Sequence, residues 1–282
     1  MHHPFDPAAF VADTLAEDLG AGGDITSAAV IPAAARLTAD MVSRDAVVVA
    51  GLDLAAAFFG ELDPAVEVER FVVDGDAVAA GTILLRITGN ARALLAAERS
   101  ALNTVQHLTG IATLTRAYVE AIAGTGATLL DTRKTLPGLR TIEKYAVTCG
   151  GGTNHRLRLD DGVMIKDNHV AIAGGVDAAV RAATAHGLGV AAGGLPIVVE
   201  VDRIDQIEPA LAAGADRLLL DNMDVATLHD AVALVAGRVP TEASGGVRLD
   251  TIRAIAETGV SFISVGRLTQ SAPAADIGLD YA

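Results

Sequence analysis

The chain has 282 residues, 35 acidic against 21 basic, a formal net charge of −14, one cysteine, no tryptophan and 3% aromatics, so it is long enough for one large α/β domain or two modest ones. The acidic balance argues against a nucleic-acid or anionic-membrane partner, since both need a basic face, and no apolar run reaches the roughly 18–20 residues of a membrane helix. The start, Met1–Asp6, lacks the basic and apolar regions of a secretory leader, and Cys149 alone forms no intramolecular disulfide, so a cytoplasmic setting is expected.

Residues 6–20 predict an amphipathic helix with Phe10, Val11, Leu15 and Leu19 on one face; Gly20–Asp24 stops it, and Thr26 or Ser27 begins the next segment. From 35 to 50 the pattern predicts two strands joined near Arg44-Asp45, followed by a short helix over 52–60. Two more strands are expected at Val66–Val73 and Thr82–Ile87, giving a small antiparallel sheet in an α+β unit. Residues 90–123 read as helical, with Gly110 interrupting near the middle.

Beyond that point the pattern becomes β-α repeats. Strands are expected to begin near Thr128, Val198, Leu218, Thr241 and Ile263, the last four spaced by 20, 23 and 22 residues, which predicts parallel strands with right-handed crossovers. The expected fold class is therefore α/β: an N-terminal α+β sandwich domain over 1–108, then an incomplete α/β barrel over 109–267, with the tail from about 268 to 282 returning to the first domain.

Each barrel strand ends in polar residues, and the carboxyl ends of parallel strands are where such folds assemble active sites. All three lysines of the chain, Lys134, Lys144 and Lys166, lie between Arg133 and Lys166, a window of +4 that also holds Arg140, Arg156 and Arg158. Arg133 and Lys134 at the end of the first barrel strand suit two anionic groups, a guanidinium fork for a carboxylate and a compact ammonium for a phosphate, or else decorate a solvated loop. The run Gly150–Gly152 ahead of His155 and Arg156 lets backbone approach a ligand. Lys166 could anchor a carboxylate, act as a Schiff-base nucleophile, or be a surface lysine held by Asp167.

Glu200 and Asp221 terminate two strands and could hold a divalent cation through water, bind ribose hydroxyls, or stabilise developing positive charge. Glu242, two residues before Ser244, is expected to point away from the strand-end cavity. Ser244-Gly245-Gly246 and Val265-Gly266-Arg267 follow two late strands, the position of a recurring phosphate site in barrels. His2, His3, His107, His186 and His229 have no metal-ligand spacing, and Cys149 reads as a structural thiol.

Taken together, Glu98–Asn103, His107–Thr113, Asp131–Thr135, Gly150–Arg156, Ile165–His169, Glu200-Val201, Leu220–Asn222 and Ala243–Gly246 resemble the quinolinate phosphoribosyltransferase family, in the family's order and across nearly the whole chain. The resemblance implies transfer of phosphoribosyl from phosphoribosyl pyrophosphate to quinolinate with decarboxylation, yielding nicotinate mononucleotide, with Mg²⁺ bound mainly with phosphoribosyl pyrophosphate. It further implies a homodimer with shared active sites, with assembly into a hexamer left open. In that reading Arg133, His155, Arg156 and Lys166 line the dicarboxylate pocket and Arg99 enters from the partner. Lys134, Ser244, Gly245, Gly246 and Gly266 meet the phosphates, Thr132 and Val265 also line the substrate sites, and Lys134, Glu200 and Asp221 carry the catalysis. The rival readings are a related phosphoribosyltransferase with another nitrogenous acceptor, a barrel aldolase using Lys166, and a non-catalytic scaffold.

Overall fold

A computed structural model describes residues 5–281; the expectations placed on Met1–Pro4, His2 and His3 included, lie outside the described residues. In chain order the elements are α1 (Pro7–Leu19), α2 (Ile25–Val30), β1 (Arg36–Ser43), β2 (Val47–Val48), α3 (Leu52–Leu62), β3 (Glu67–Arg70), β4 (Ala77–Val78), β5 (Ile83–Asn90) and α4 (Ala91–Ala121). Then follow β6 (Thr128–Leu130), α5 (Arg140–Cys149), β7 (Val163–Ile165), α6 (Asp167–Ala173), α7 (Val176–Ala185), β8 (Ile197–Val201) and α8 (Ile207–Ala213). The remainder is β9 (Arg217–Asp221), α9 (Val225–Val235), β10 (Thr241–Ser244), α10 (Ile252–Ala256), β11 (Phe262–Ser264), α11 (Arg267–Gln270) and β12 (Ile277–Tyr281).

Two compact units emerge. The first holds the described residues up to Arg116, Thr141–Gly151, and those from Ser271 onward. Its antiparallel sheet runs β12-β1-β5-β3, with Ala39 facing both Tyr281 and Ile87. Alternation along β1 sends Ala39, Met41 and Ser43 inward, and that face buries against Phe58, Phe59, Leu84, Ile87 and Leu94. Helix α1 starts where Asp6 accepts hydrogen bonds from the Ala8 and Ala9 amides with Pro7 in the first turn, and ends at Gly20 with φ 54°.

Local readings are corrected here. Asp24, not Thr26 or Ser27, caps α2, because its carboxylate accepts the Ser27 amide at 2.9 Å. The strand expected through Val73 stops at Arg70, and Ala77–Val78 forms a further strand paired with β2. Gly110 does not interrupt α4. A Cβ there would sit 2.0 Å from the Pro273 carbonyl oxygen, so the glycine admits the chain segment leading to β12.

The second unit, Ala117–Arg140 with Gly152–Gln270, is built on a six-stranded parallel sheet ordered β6-β11-β10-β9-β8-β7. With its intervening helices this is an incomplete α/β barrel. Its strands carry Leu129, Ile165, Val199, Leu218, Leu220, Ala243 and Ile263 into the core. β7, absent from the expected strands, is three residues long and follows the polar run Asp160-Asp161-Gly162. At the β6 edge Leu130 bridges Thr153, which draws the Gly152–Arg156 segment alongside the first barrel strand.

Candidate active site

Alternate residues at and just beyond the carboxyl ends of the strands face one cavity of about 850 Å³: Met164 on β7 and Lys166 just after it, Leu219 and Asp221 from β9, Glu242 and Ser244 from β10, Ser264 on β11 and Gly266 just after it. The loop after β6 adds Thr132, Arg133 and Lys134, the segment bridged to it adds His155 and Arg156, and β8 adds Glu200. Gly245, Gly246 and Val265 complete the expected set. Arg99 does not line the cavity; it is exposed on α4 in the first unit.

Six of these lining side chains are cationic, Arg133, Lys134, Arg156, Lys166, Arg248 and Arg267, against four carboxylates, in a chain whose overall charge is −14. Arg133 is half-buried, and its Nε is buried with no acceptor among the described residues, the kind of donor that a bound carboxylate satisfies. Burial, reinforced by the neighbouring Arg133 charge, lowers the Arg156 pKa; its Nη1 donates to the Gly162 carbonyl at 2.8 Å. Lys166 extends to Glu200, Nζ to Oε2 2.7 Å, rather than to Asp167. Its own amide donates to His169 Nδ1 at 2.9 Å, which caps α6 and fixes where the lysine leaves the backbone.

Burial raises the Asp221 pKa, the Glu200 charge adds to the rise, and Lys166 and Lys134 partly oppose it. Asn222 Nδ2 donates to Asp221 Oδ2 at 2.5 Å. On the phosphate-like side, Gly245 (φ 96°) and Gly246 (φ 62°) both use left-handed backbone. A Cβ on Gly245 would lie 2.1 Å from Asn222 Oδ1 and 2.9 Å from its backbone nitrogen, so this glycine is required for close approach, whereas one on Gly266 would lie 2.7 Å from Cδ of the exposed Lys134 side chain. Lys134 is held at its backbone, the amide donating to Thr132 Oγ1 at 3.0 Å and the carbonyl accepting from Thr269 Oγ1 at 2.7 Å, while its side chain stays exposed.

Two expectations fail. Glu242 faces the cavity and is fully buried, because residues two apart in a strand share a face and Ser244 faces inward. Burial alone would raise its pKa, but the contacts with His155, Ser264 and Arg217 outweigh that and hold it below the usual carboxylate range. The basic window is also not one site. Lys144 is fully buried on α5 in the first unit, Arg140 donates to Thr135 Oγ1 and the Leu157 carbonyl, and Arg158 pairs with Asp160 at 2.8 Å.

Outside the cavity, His107 Nε2 meets Glu143 Oε1 at 2.9 Å, His186 and His229 are exposed, and burial pushes the Cys149 thiol pKa up, as befits a structural thiol. Sequence reasoning missed Arg248, Asn222 and Gln270 as lining residues. Only Asn222, directly after the strand that ends at Asp221, carried a signal for this; Arg248 and Gln270 lie four and six residues past their strands.

A strand-end cavity joining half-buried guanidinium groups, four carboxylates and a left-handed glycine turn defines an enzyme site for a multiply anionic substrate. Family models described as the N-terminal and C-terminal domains of quinolinate phosphoribosyl transferase match residues 24–109 and 111–280. The chain is 46% identical over 274 residues to the carboxylating nicotinate-nucleotide pyrophosphorylase of Mycobacterium leprae, covering 94% of each. It is 42% identical over 293 residues to the chloroplastic carboxylating pyrophosphorylase of Oryza sativa subsp. japonica, covering 99% of this chain and 78% of that one. The crystal structure of a nicotinate-nucleotide pyrophosphorylase from Ehrlichia chaffeensis superposes with a TM-score of 0.93 at 37% identity, covering 100% of both chains. The chain belongs to the quinolinate phosphoribosyltransferase family and is an enzyme of the decarboxylating pentosyltransferase class.

Proposed function

We propose that this chain transfers phosphoribosyl from phosphoribosyl pyrophosphate to quinolinate with loss of carbon dioxide, producing nicotinate mononucleotide and pyrophosphate for NAD synthesis. The observation that carries the substrate assignment is the half-buried pair Arg133 and Arg156, close enough for the Arg133 charge to act on Arg156, in a cavity that Lys166 also lines. Desolvating a dicarboxylate costs several kcal/mol per unpaired charge, on the order of what fixed cations must offset. The buried Arg133 Nε supplies one donor for it. In the same cavity the Gly245-Gly246 turn, Ser244, Gly266 and Lys134 suit phosphate oxygens.

In this reading the pyridine nitrogen forms a bond to the ribose anomeric carbon as the carbon–oxygen bond to diphosphate breaks, the electron pair leaving with diphosphate. Glu200 and Asp221 stabilise the positive charge that develops at that carbon. When the adjacent carboxylate departs as carbon dioxide, the electron pair of the broken bond stays on the ring carbon, where the neighbouring cationic nitrogen stabilises it, and a proton from Lys134 or water then binds that pair. The cavity supplies alignment, electrostatics and exclusion of water.

Mg²⁺ fits this site as a companion of the diphosphate. Among the described residues no group of three or more His, Cys, Asp or Glu side chains could hold a metal ion, whereas Glu200 and Asp221 on adjacent strands suit a cation whose remaining ligands are phosphate and water. When bound, the ion neutralises charge on the departing diphosphate. The same reading pairs two copies into a homodimer, with Arg99 completing the partner's site. It also sets the enzyme in the cytoplasm: among the described residues no helix is long and apolar enough to cross a membrane, and the Mycobacterium leprae relative is bacterial, although the Oryza sativa one is chloroplastic.

The test is product formation from phosphoribosyl pyrophosphate and Mg²⁺ with quinolinate or nicotinate as acceptor. Nicotinate mononucleotide and carbon dioxide are expected from quinolinate; product from nicotinate but not quinolinate would overturn the substrate assignment.

A further inference from the structure

Beneath the cationic cluster lies a charged column that the reaction scheme leaves unused. Glu242 on β10 is fully buried, and its Oε2 is 3.3 Å from Arg217 Nη1 on β9 and 3.5 Å from His155 Nε2. The Arg217 guanidinium lies 4.0 Å from the ring centroid of Phe262, the residue that pairs with Glu242 across β10 and β11. The carboxylate is thus gripped from below by a cation that is itself stacked on an aromatic ring.

His155 is tied down on its other edge. Its Nδ1 accepts the Arg156 amide at 2.7 Å, and its own amide donates to the buried Asp131 carboxylate at 2.7 Å. A ring nitrogen that accepts a backbone N–H carries no proton, so the ring proton sits on Nε2, the atom that faces Glu242. Arg156, which also lines the cavity, is the next residue along the chain.

We propose that Glu242 is a positioning residue for the dicarboxylate end of the site: its carboxylate faces the Nε2–H that the Arg156 amide fixes on His155 and holds the ring in place, and through the Nδ1 contact with that amide the ring sets where the Arg156 side chain leaves the backbone. Glu242 itself does not act on the substrate's reacting atoms. The inference rests on the assignment of that end of the cavity to quinolinate, but its first readout does not.

In nitrogen-15 NMR of the unliganded wild-type chain near neutral pH, His155 is expected as the Nε2–H tautomer; the Nδ1–H tautomer would overturn the proposal. This measurement needs no variant and no substrate, so absence of quinolinate turnover would sink the functional reading while leaving it intact. In kinetics, Glu242→Leu is expected to raise the quinolinate KM about tenfold, because it removes the buried charge that faces His155 and pairs with Arg217, with the phosphoribosyl pyrophosphate KM within about twofold of wild type. Glu242→Gln, which retains an acceptor oxygen and the side-chain shape, is expected to recover most of that loss. In a His155→Ala background the Glu242→Leu effect is expected to shrink to within about twofold, because the two residues act as a unit. Equal effects of Glu242→Leu in both backgrounds, or equal rises in both substrates' KM, would overturn the proposal. Should Glu242→Leu fail to fold, the NMR measurement and the Glu242→Gln kinetics, with failure of Gln to hold the quinolinate KM below about tenfold counting against it, decide the matter.

Discussion

Replacing Gly245 with alanine should damage the site far more than the same change one residue later. Both glycines use left-handed backbone, so either substitution costs roughly 1–2 kcal/mol of backbone strain. Only at Gly245 does the new Cβ also collide, 2.1 Å from Asn222 Oδ1, 2.7 Å from its Cγ and 2.9 Å from its amide nitrogen; at Gly246 nothing lies within 4 Å. Asn222 has little room to yield. Its amide donates to the Ser244 carbonyl at 2.9 Å, its side chain donates to Asp221 at 2.5 Å, and its own φ is 54°. Overpacking of this kind costs a further ~1–3 kcal/mol, and relief by rotating Asn222 releases Asp221 from its hydrogen bond. Gly245→Ala is therefore expected to unfold at lower urea concentration than Gly246→Ala, followed by circular dichroism, and to lose kcat through Asp221. Matching urea midpoints and matching kcat for the two variants would refute the reasoning.

Arg133→Ala and Lys166→Ala should each raise the quinolinate KM by at least about tenfold with unchanged circular dichroism, since each removes a charge-assisted contact; normal quinolinate kinetics in both would remove the dicarboxylate pocket. Glu200→Ala and Asp221→Ala should lower kcat more than they raise either KM, because their charge is needed mostly in the transition state, and an unchanged kcat would exclude them from the chemistry. Asp40 accepts two hydrogen bonds from Arg86, at 2.7 and 2.9 Å, and that pairing holds its carboxyl below the usual aspartate range. A lowered folded-state pKa contributes stability above the unfolded value and loses it as pH falls through the folded one. Asp40→Asn should thus be less stable than wild type near neutrality, with the gap in urea midpoint closing only below the usual aspartate range; a gap independent of pH would contradict the pairing.

Much of the barrel end of the site was legible because strand-end chemistry leaves a plain trace: apolar runs that stop at Glu200, Asp221 or Ser244, 21 and 23 residues apart, bring those side chains to one rim. Glu242 was misread although strand periodicity alone set its face, since Ser244 two residues on already faced the cavity. Lys144 shares the basic window of the sequence with Lys134 and Lys166, whereas α5 carries it into the first unit. Gly110 could not be told from a helix breaker, because its reason is a carbonyl supplied by Pro273, more than 160 residues further along the chain. β7 escaped notice because three residues carry too short a pattern to be told from a loop.

The pairing of β12 with β1 bears on how the protein is made. Ile277–Tyr281 is the edge partner of Arg36–Ser43, whose other neighbour, β5, is complete at Asn90. During synthesis at roughly 5–20 residues per second, β1 waits roughly 10–40 s after β5 before that partner emerges. In the interval a strand with unpaired backbone groups is open to another nascent chain, so neighbouring ribosomes on one message could exchange this strand between polypeptides. Slow elongation over the barrel half would lengthen the window, and a molecular chaperone bound to the nascent first sheet would guard it.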